Sequence, residues 1–182
     1  MPLLNTVTTP YVEAFLQVAE AREETEQVVE QAKGLLELWN QSPELREAMG
    51  SPVLEVESKK AAITNLFAEQ LTPSFLNLLK LLADRQRIGI LGPILERLLE
   101  IYREQRKIVV ANVSSATALS EAQEQAIATK LRIMAGTDQL EINLQVNPDL
   151  IGGFVVSLGS QVIDASLAGQ VRRLGLALTK VS

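Results

Sequence analysis

The stretch REQRKIVVANVSSA, residues 103–116, is where the hydrophobic period of the chain changes, and the fold turns on how it is read. Arg103, Arg106 and Lys107 close a helical pattern with positive charge, which suits the negative end of a helix dipole. Ile108, Val109, Val110 and Val113 follow, β-branched residues that favour a pleated strand over a helix. The boundary falls at Lys107, with a helical half before it and a mixed half after it.

Upstream of the boundary the apolar residues repeat with a helical period. In TPYVEAFLQVA, Thr9 caps a helix opened by Pro10, and Val12, Phe15, Leu16 and Ala19 share a stripe. A second helix is expected over 23–40, with Val28, Ala32, Leu35, Leu36 and Trp39 inward and Glu23, Glu24 and Glu26 in its first turn. Ser42, Pro43 and Gly50 bracket a short third helix. A fourth over 58–69 uses Ile63, Leu66 and Phe67, and a fifth starts at Thr72-Pro73 with Phe75, Leu78, Leu79 and Leu82 on one face. Leu76 and Leu81 fall outside that face, so this helix is buried widely or covered by something else. The sixth, GPILERLLEIYREQRK, turns Ile94, Leu95, Leu98, Ile101 and Tyr102 inward.

Downstream, EINLQVN alternates with Ile142, Leu144 and Val146 on one side, as a strand does. Between the two strands, Ser120 and Gln123 form a capping-box pattern opening a helix that Gly136 ends. GGFVVSL and QVID read as two short strands joined around Gly159 and Ser160, and Leu167, Val171, Leu174 and Leu178 recur as an amphipathic helix does. The expected architecture is a two-domain α+β protein: a six-helix bundle over 1–107, then a small α/β domain over 108–182 ordered strand, helix, strand, strand, strand, helix.

With 182 residues, 47% hydrophobic and 21% charged, the chain is long enough to bury a core and too apolar to be disordered. It contains neither cysteine nor histidine, which removes disulfides, thiolate chemistry and the usual general base near neutral pH. A net charge of -5 argues against a strongly electrostatic nucleic-acid binder. The opening MPLLNTVTTP lacks a signal-like pattern and no apolar run reaches the roughly 18 residues of a membrane span, so membrane contact is expected only through a partner.

The residues that invite a catalytic reading carry little chemistry. Gly152 and Gly153 lack the lysine-hydroxyl pair of a phosphate loop and precede a strand, so a turn is the better reading. Asp149 and Asp164 have no nucleophile beside them, and the carboxylates form no calcium loop; no cofactor or metal is expected. Arg172 and Arg173 point about a third of a turn apart. Solvation, an intramolecular pair and a partner contact all remain open for them.

Three runs in the C-terminal half carry a resemblance: Asn-Pro-Asp-Leu-Ile-Gly-Gly at 147–153, Ser-Gln-Val-Ile-Asp-Ala-Ser at 160–166, and the Leu-x-x-Gln-x-x-Arg-Leu that ends at Leu174. Together they resemble the C-terminal signature of the ATP synthase delta subunit family, related to the mitochondrial oligomycin-sensitivity-conferring protein. TPYVEAFLQVAE resembles the family's opening helix, with Val12 and Phe15 standing where a small residue and a leucine are usual. The resemblance covers nearly the whole chain and implies a non-catalytic subunit of the peripheral stalk. It implies a helical domain on the catalytic head, receiving the N-terminal helix of an alpha subunit between the first and fifth helices at Val12, Phe15, Ala19, Phe75, Leu78, Leu79 and Leu82. It also implies a C-terminal domain joining the C-terminal ends of two b-type stalk subunits. The stalk-facing or domain-shaping residues are then Ile151, Gly152, Gly153, Phe154, Asp164, Leu167, Val171, Arg172, Leu174 and Leu178. Gln and Ala content and the acidic balance resemble a cyanobacterial or plastid version, and the lack of a transit-like leader fits a bacterial or mature form. The location implied is the cytoplasmic face of a cyanobacterial thylakoid or the stromal side of a chloroplast membrane, through the complex. The rival from another class is a helical-bundle regulator that binds nucleic acid; an enzyme is a third option.

Overall fold

The computed structural model describes residues 2–159 and 161–179, with side-chain surroundings for 6–159 and 161–173. The chain divides into two compact units, Met1–Tyr102 and Arg103–Ser182.

In the first unit α1 (Pro2–Ala21), α2 (Thr25–Gln41), α3 (Pro43–Gly50), α4 (Val56–Phe67) and α5 (Pro73–Asp84) follow one another. A 3-10 turn over Ile88–Ile90 leads into α6 (Leu91–Arg106). They enclose one apolar core in which Val12, Val28, Ile63, Phe75, Leu79, Leu82, Ile94, Leu95 and Leu98 are almost wholly removed from solvent. Phe15 meets Phe75 edge-on, ring centroids 5.2 Å apart, which fastens α1 to α5.

The Thr72-Pro73 start forms as its sequence predicts, with a side chain doing the capping. Thr72 accepts a hydrogen bond from the Phe75 N–H, with Pro73 at the first helical position. The first helix departs from expectation: Pro10 lies inside α1 rather than opening it, so Thr9 is no cap. A proline costs a helix one donor and crowds the preceding turn, yet α1 continues through Pro10, with Thr8 upstream of it 1% exposed. The α1–α2 turn places Glu23 at φ 57 and leaves Glu26 alone of the three glutamates in the first turn of α2. Leu66, expected inside, is 52% exposed because the inner face of α4 is carried by Lys59, Ile63 and Phe67. The stem of Lys59 is buried while its ammonium donates to the Ser51 carbonyl at 2.6 Å.

The second unit holds β1 (Val109–Ser115), α7 (Glu121–Ala135), β2 (Leu140–Val146), β3 (Phe154–Leu158), β4 (Gln161–Asp164) and α8 (Leu167–Thr179). The sheet order is β2-β1-β3-β4. β1 and β2 run parallel, as a helical crossover through α7 requires, and the remaining pairs are antiparallel. The capping box of Ser120 and Gln123 forms, and Gly136 ends α7 in the left-handed conformation at φ 64. Leu131 and Ile127 of α7 pack on Ala111, Val113, Val156 and Leu158. Ile142, Leu144 and Val146 lie in register with Ala111, Val113 and Ser115 and so share the helix-covered face. Only Ile142 packs into the core; Leu144 and Val146 are 47% and 52% exposed on the edge strand. The last turn of α6 belongs to this unit, because the Arg103 Nε donates to Glu141 Oε2 at 2.7 Å and the Ile108 N–H closes on the Arg103 carbonyl.

Candidate functional site

One face of α1 and one face of α5 leave an open apolar groove of about 450 Å³ between them. Pro10, Tyr11, Ala14, Phe15 and Val18 line it from α1, Arg22 from the turn just after it, and Ser74, Asn77, Leu78 and Leu81 from α5. Both sets follow helical spacing, so each is a continuous stripe. Arg22 donates to the Ser74 hydroxyl at 3.1 Å, and Arg87 donates to the Tyr11 hydroxyl at 2.8 Å. The two helices are therefore antiparallel along the groove, with the start of α5 beside the end of α1.

Of the residues expected to line this groove, only Phe15 and Leu78 do. Val12, Ala19, Phe75, Leu79 and Leu82 are at most 1% exposed and form the core beneath it, which corrects the expectation. The most regular apolar stripe of a helix is the one its own domain buries, so helical period finds the core face first. The walls of the groove, Tyr11, Ala14, Val18, Asn77 and Leu81, sit one step around each helix. Val18 is 45% and Leu81 41% exposed. The signal was present in the surplus Leu81, apolar yet off the core face; its companion Leu76 instead packs against the core.

The glycine-rich turn of the second unit is a junction between strand ends and α8. Asn147 donates through its N–H to the Ser115 carbonyl and through its side-chain oxygen receives the Asp149 N–H, so Asp149 belongs to a turn. Leu150 and Gly152 close a three-residue turn at 2.7 Å, whose central Ile151 has φ 64 and ψ -40. That conformation is strained for a β-branched residue, and it holds the Ile151 side chain 77% exposed. Gly153, at φ 78, lies so close to the Ala165 carbonyl that a Cβ would overlap it. Gly152 is packed beneath Leu167 and its carbonyl receives the Leu167 N–H at 2.9 Å; Phe154 opens β3 and packs against the small core.

Asp164 and Ser166 start α8. The Ser166 hydroxyl donates to the Asp164 carboxylate at 2.6 Å and accepts from the Gly169 N–H at 2.9 Å. The Ser166 hydroxyl and N–H hold the Asp164 carboxyl below its usual range, with Arg173 and Arg172 adding attraction against the opposing effect of burial. Arg173 also grips the Asp164 carbonyl with both terminal nitrogens, at 3.1 and 3.2 Å. Of the two arginines, Arg173 is thus the intramolecular anchor and Arg172 is exposed beside it. Leu167 and Val171, 49% and 69% exposed, stand one turn apart on α8 as an apolar strip, and Ile151 is exposed on the turn whose Gly152 packs beneath Leu167. Leu174 and Leu178 continue the same spacing along α8; their side chains lie outside the described residues.

Of the two carboxylates weighed for acid-base work, that of Asp164 is spent on the start of α8, while Asp149 is an exposed turn residue that bonds through its backbone N–H. What the chain presents outward is an apolar groove in one unit and an apolar strip in the other, the equipment of a connector that works by binding. The family model for the ATP synthase delta (OSCP) subunit matches residues 7–178. The ATP synthase subunit delta of Prochlorococcus marinus strain MIT 9303 is 70% identical over 182 residues, covering all of both chains. Those of Synechococcus sp. strain CC9902 and of the Paulinella chromatophora organellar chromatophore are 62% and 61% identical, again over all of both chains. A chain in the cryo-EM structure of the Toxoplasma gondii mitochondrial ATP synthase hexamer shares the fold, with a TM-score of 0.69, 19% identity, and coverage of 93% of this chain and 96% of that one. The chain belongs to the ATP synthase delta (OSCP) subunit family. Its place is in the peripheral stalk of an F-type ATP synthase, as a structural and not a catalytic subunit.

Proposed function

We propose that the chain ties the catalytic head of the synthase to its stationary stalk through two separate surfaces. The helical domain, residues 1–107, acts as a six-helix bundle whose α1/α5 groove receives the N-terminal helix of an alpha subunit. The small domain, residues 108–182, presents Ile151, Leu167, Val171 and Arg172, with Leu174 and Leu178 further along α8, to the C-terminal ends of the b-type subunits. The observation that carries this reading is the groove itself: Val18 and Leu81 are held half-exposed on either side of a floor formed by Phe15 and Leu78. A helix laid there would cover its apolar face as the helix-in-groove mode requires. Ile151 supports the second surface, because strained backbone clusters at binding sites and this turn displays an apolar side chain 77% exposed.

The mechanism is mechanical. Rotation of the central shaft pulls the head around with it, and the subunit transmits the opposing torque between its two partners without touching nucleotide or moving a proton. No described helix is long and apolar enough to cross a membrane, so attachment to the membrane runs through the stalk. The cyanobacterial relatives support placing that complex at the cytoplasmic face of a thylakoid. The test is to titrate the full chain separately with an alpha-subunit N-terminal helix and with b-type C-terminal helices. Leu81→Asp should abolish the first interaction and spare the second, and Val171→Asp the reverse. Retention of both affinities in both variants would remove these surfaces from the interfaces.

A further inference from the structure

The groove has a basic group at each end. Arg22 lies where α1 finishes and α5 begins, and Arg87 lies at the other end, its guanidinium 5.9 Å from the centre of the Tyr11 ring. Their partners are a serine hydroxyl and a tyrosine hydroxyl, both neutral, and among the described residues neither guanidinium is within ion-pair distance of a carboxylate. Glu24 comes nearest, accepting a hydrogen bond from the same Ser74 hydroxyl that accepts from Arg22, so its carboxylate lies close to Arg22 without pairing with it. The acidic residues of α1, Glu13 and Glu20, fall outside the groove-lining set. Arg22 thus lines one end of the apolar trough, and Arg87, outside the lining set, reaches the Tyr11 that lines the other end.

We propose that Arg22 and Arg87 fix the register of the helix that occupies this groove, by pairing with acidic residues that bracket its apolar face. The inference rests on the groove being the seat of a partner helix. The spacing follows from helix geometry: Tyr11, which receives Arg87, and Arg22, one residue past the end of α1, are eleven residues apart, about 16 Å at the usual rise. A partner helix lying along α1 covers the same distance in the same number of residues. Eleven residues are also close to three whole turns, so both acids return to the face that enters the groove. The recognised pattern is a helix with acids at i and i+11 and aliphatic residues between them at i+4, i+7 and i+8. The aliphatic contacts supply most of the affinity, and the rim charges exclude a helix slid by one turn, which would leave one arginine facing an apolar side chain.

The experiment uses the full chain and synthetic helical peptides with leucine at i+4, i+7 and i+8. One carries Glu at i and i+11, a second carries Lys at those positions, and a third carries Glu at i and i+3, which keeps the three leucines but cannot reach both arginines. The first should bind the wild-type chain about two- to fivefold more tightly for each pair formed than a peptide lacking it, with the advantage falling as salt rises. The Arg22→Glu, Arg87→Glu double variant should invert the preference and favour the Lys peptide. Equal binding of the Glu and Lys peptides, or of the two Glu spacings, overturns the register proposal. Leu81→Asp separates the two levels of the reading. If it abolishes binding of all three peptides while the arginine variants change nothing, the groove is the seat and the charges do not set register. If it leaves all three peptides bound, the groove itself is refuted and the register proposal goes with it.

Discussion

Leu79 and Leu81 are two positions apart on α5 and separate stability from binding. Leu81 is 41% exposed on the groove wall, and Val18 opposite it is 45% exposed. Burying a whole aliphatic side chain is worth about 1.5–3 kcal/mol, so a partner helix that covers the exposed fraction gains about 0.6–1.2 kcal/mol from Leu81 and about 0.7–1.3 from Val18. Leu81→Ala should therefore weaken binding of the alpha-subunit helix about three- to eightfold, and the double change with Val18→Ala about ten- to seventyfold if the two add. Neither change opens a cavity in the core, so the urea midpoint should barely move. Leu79 is 1% exposed among core side chains, and Leu79→Ala should cost about 2–5 kcal/mol of stability with no loss of affinity in the fraction that stays folded. Titration calorimetry with the helix, paired with urea unfolding of the same variants, reads both quantities. A folded Leu79→Ala chain that binds poorly, or a Val18→Ala, Leu81→Ala chain that binds like the wild type, would falsify the assignment of the groove walls.

The second unit offers three further checks. Ser166→Ala removes the cap of α8 and should cost about 0.5–2 kcal/mol, seen as faster amide exchange through the first turn of that helix. Because the folded Asp164 carboxyl lies below its ordinary value of 3.8, its contribution to stability is fully present above that value and is lost as pH falls through the lowered one. Carboxyl NMR titration should show Asp164 returning toward 3.8 in Ser166→Ala, and an unshifted curve would contradict the assigned cause. Ile151→Gly removes a strained conformation worth about 1–3 kcal/mol at the expense of about 0.5–1 of backbone entropy, so the unit should gain stability while b-type helices bind less well. A loss of stability would show that the turn carries no strain.

Much of the fold was readable because its signals are local. The change of period at Lys107, the Thr72-Pro73 helix start, the Ser120–Gln123 box and the Gly136 stop each involve neighbours in sequence, and each forms. Pro10 misled because a Thr-Pro pair reads locally as a helix start, whereas α1 already begins at Pro2 and runs through it. The groove was readable only as an anomaly. Periodicity selected Val12, Ala19, Phe75, Leu79 and Leu82, the positions with the greatest claim on the interior, while the walls lie on a flank that includes Asn77 and Arg22.

Sequence by itself determined that the chain has a helical half and a mixed half, that it lacks the side chains of ordinary acid-base and thiol catalysis, and which family it resembles. Those are matters of composition, period and ordered motif, all properties of one dimension. Tertiary structure decided which apolar residues are core and which remain for a partner. It also decided that Asp164 and Arg173 are spent on holding α8 while Arg172 is left exposed beside them. Two stripes on one helix can be equally apolar; only the packing of α5 onto α2, α4 and α6 buries Leu79 and leaves Leu81 at the surface beside α1.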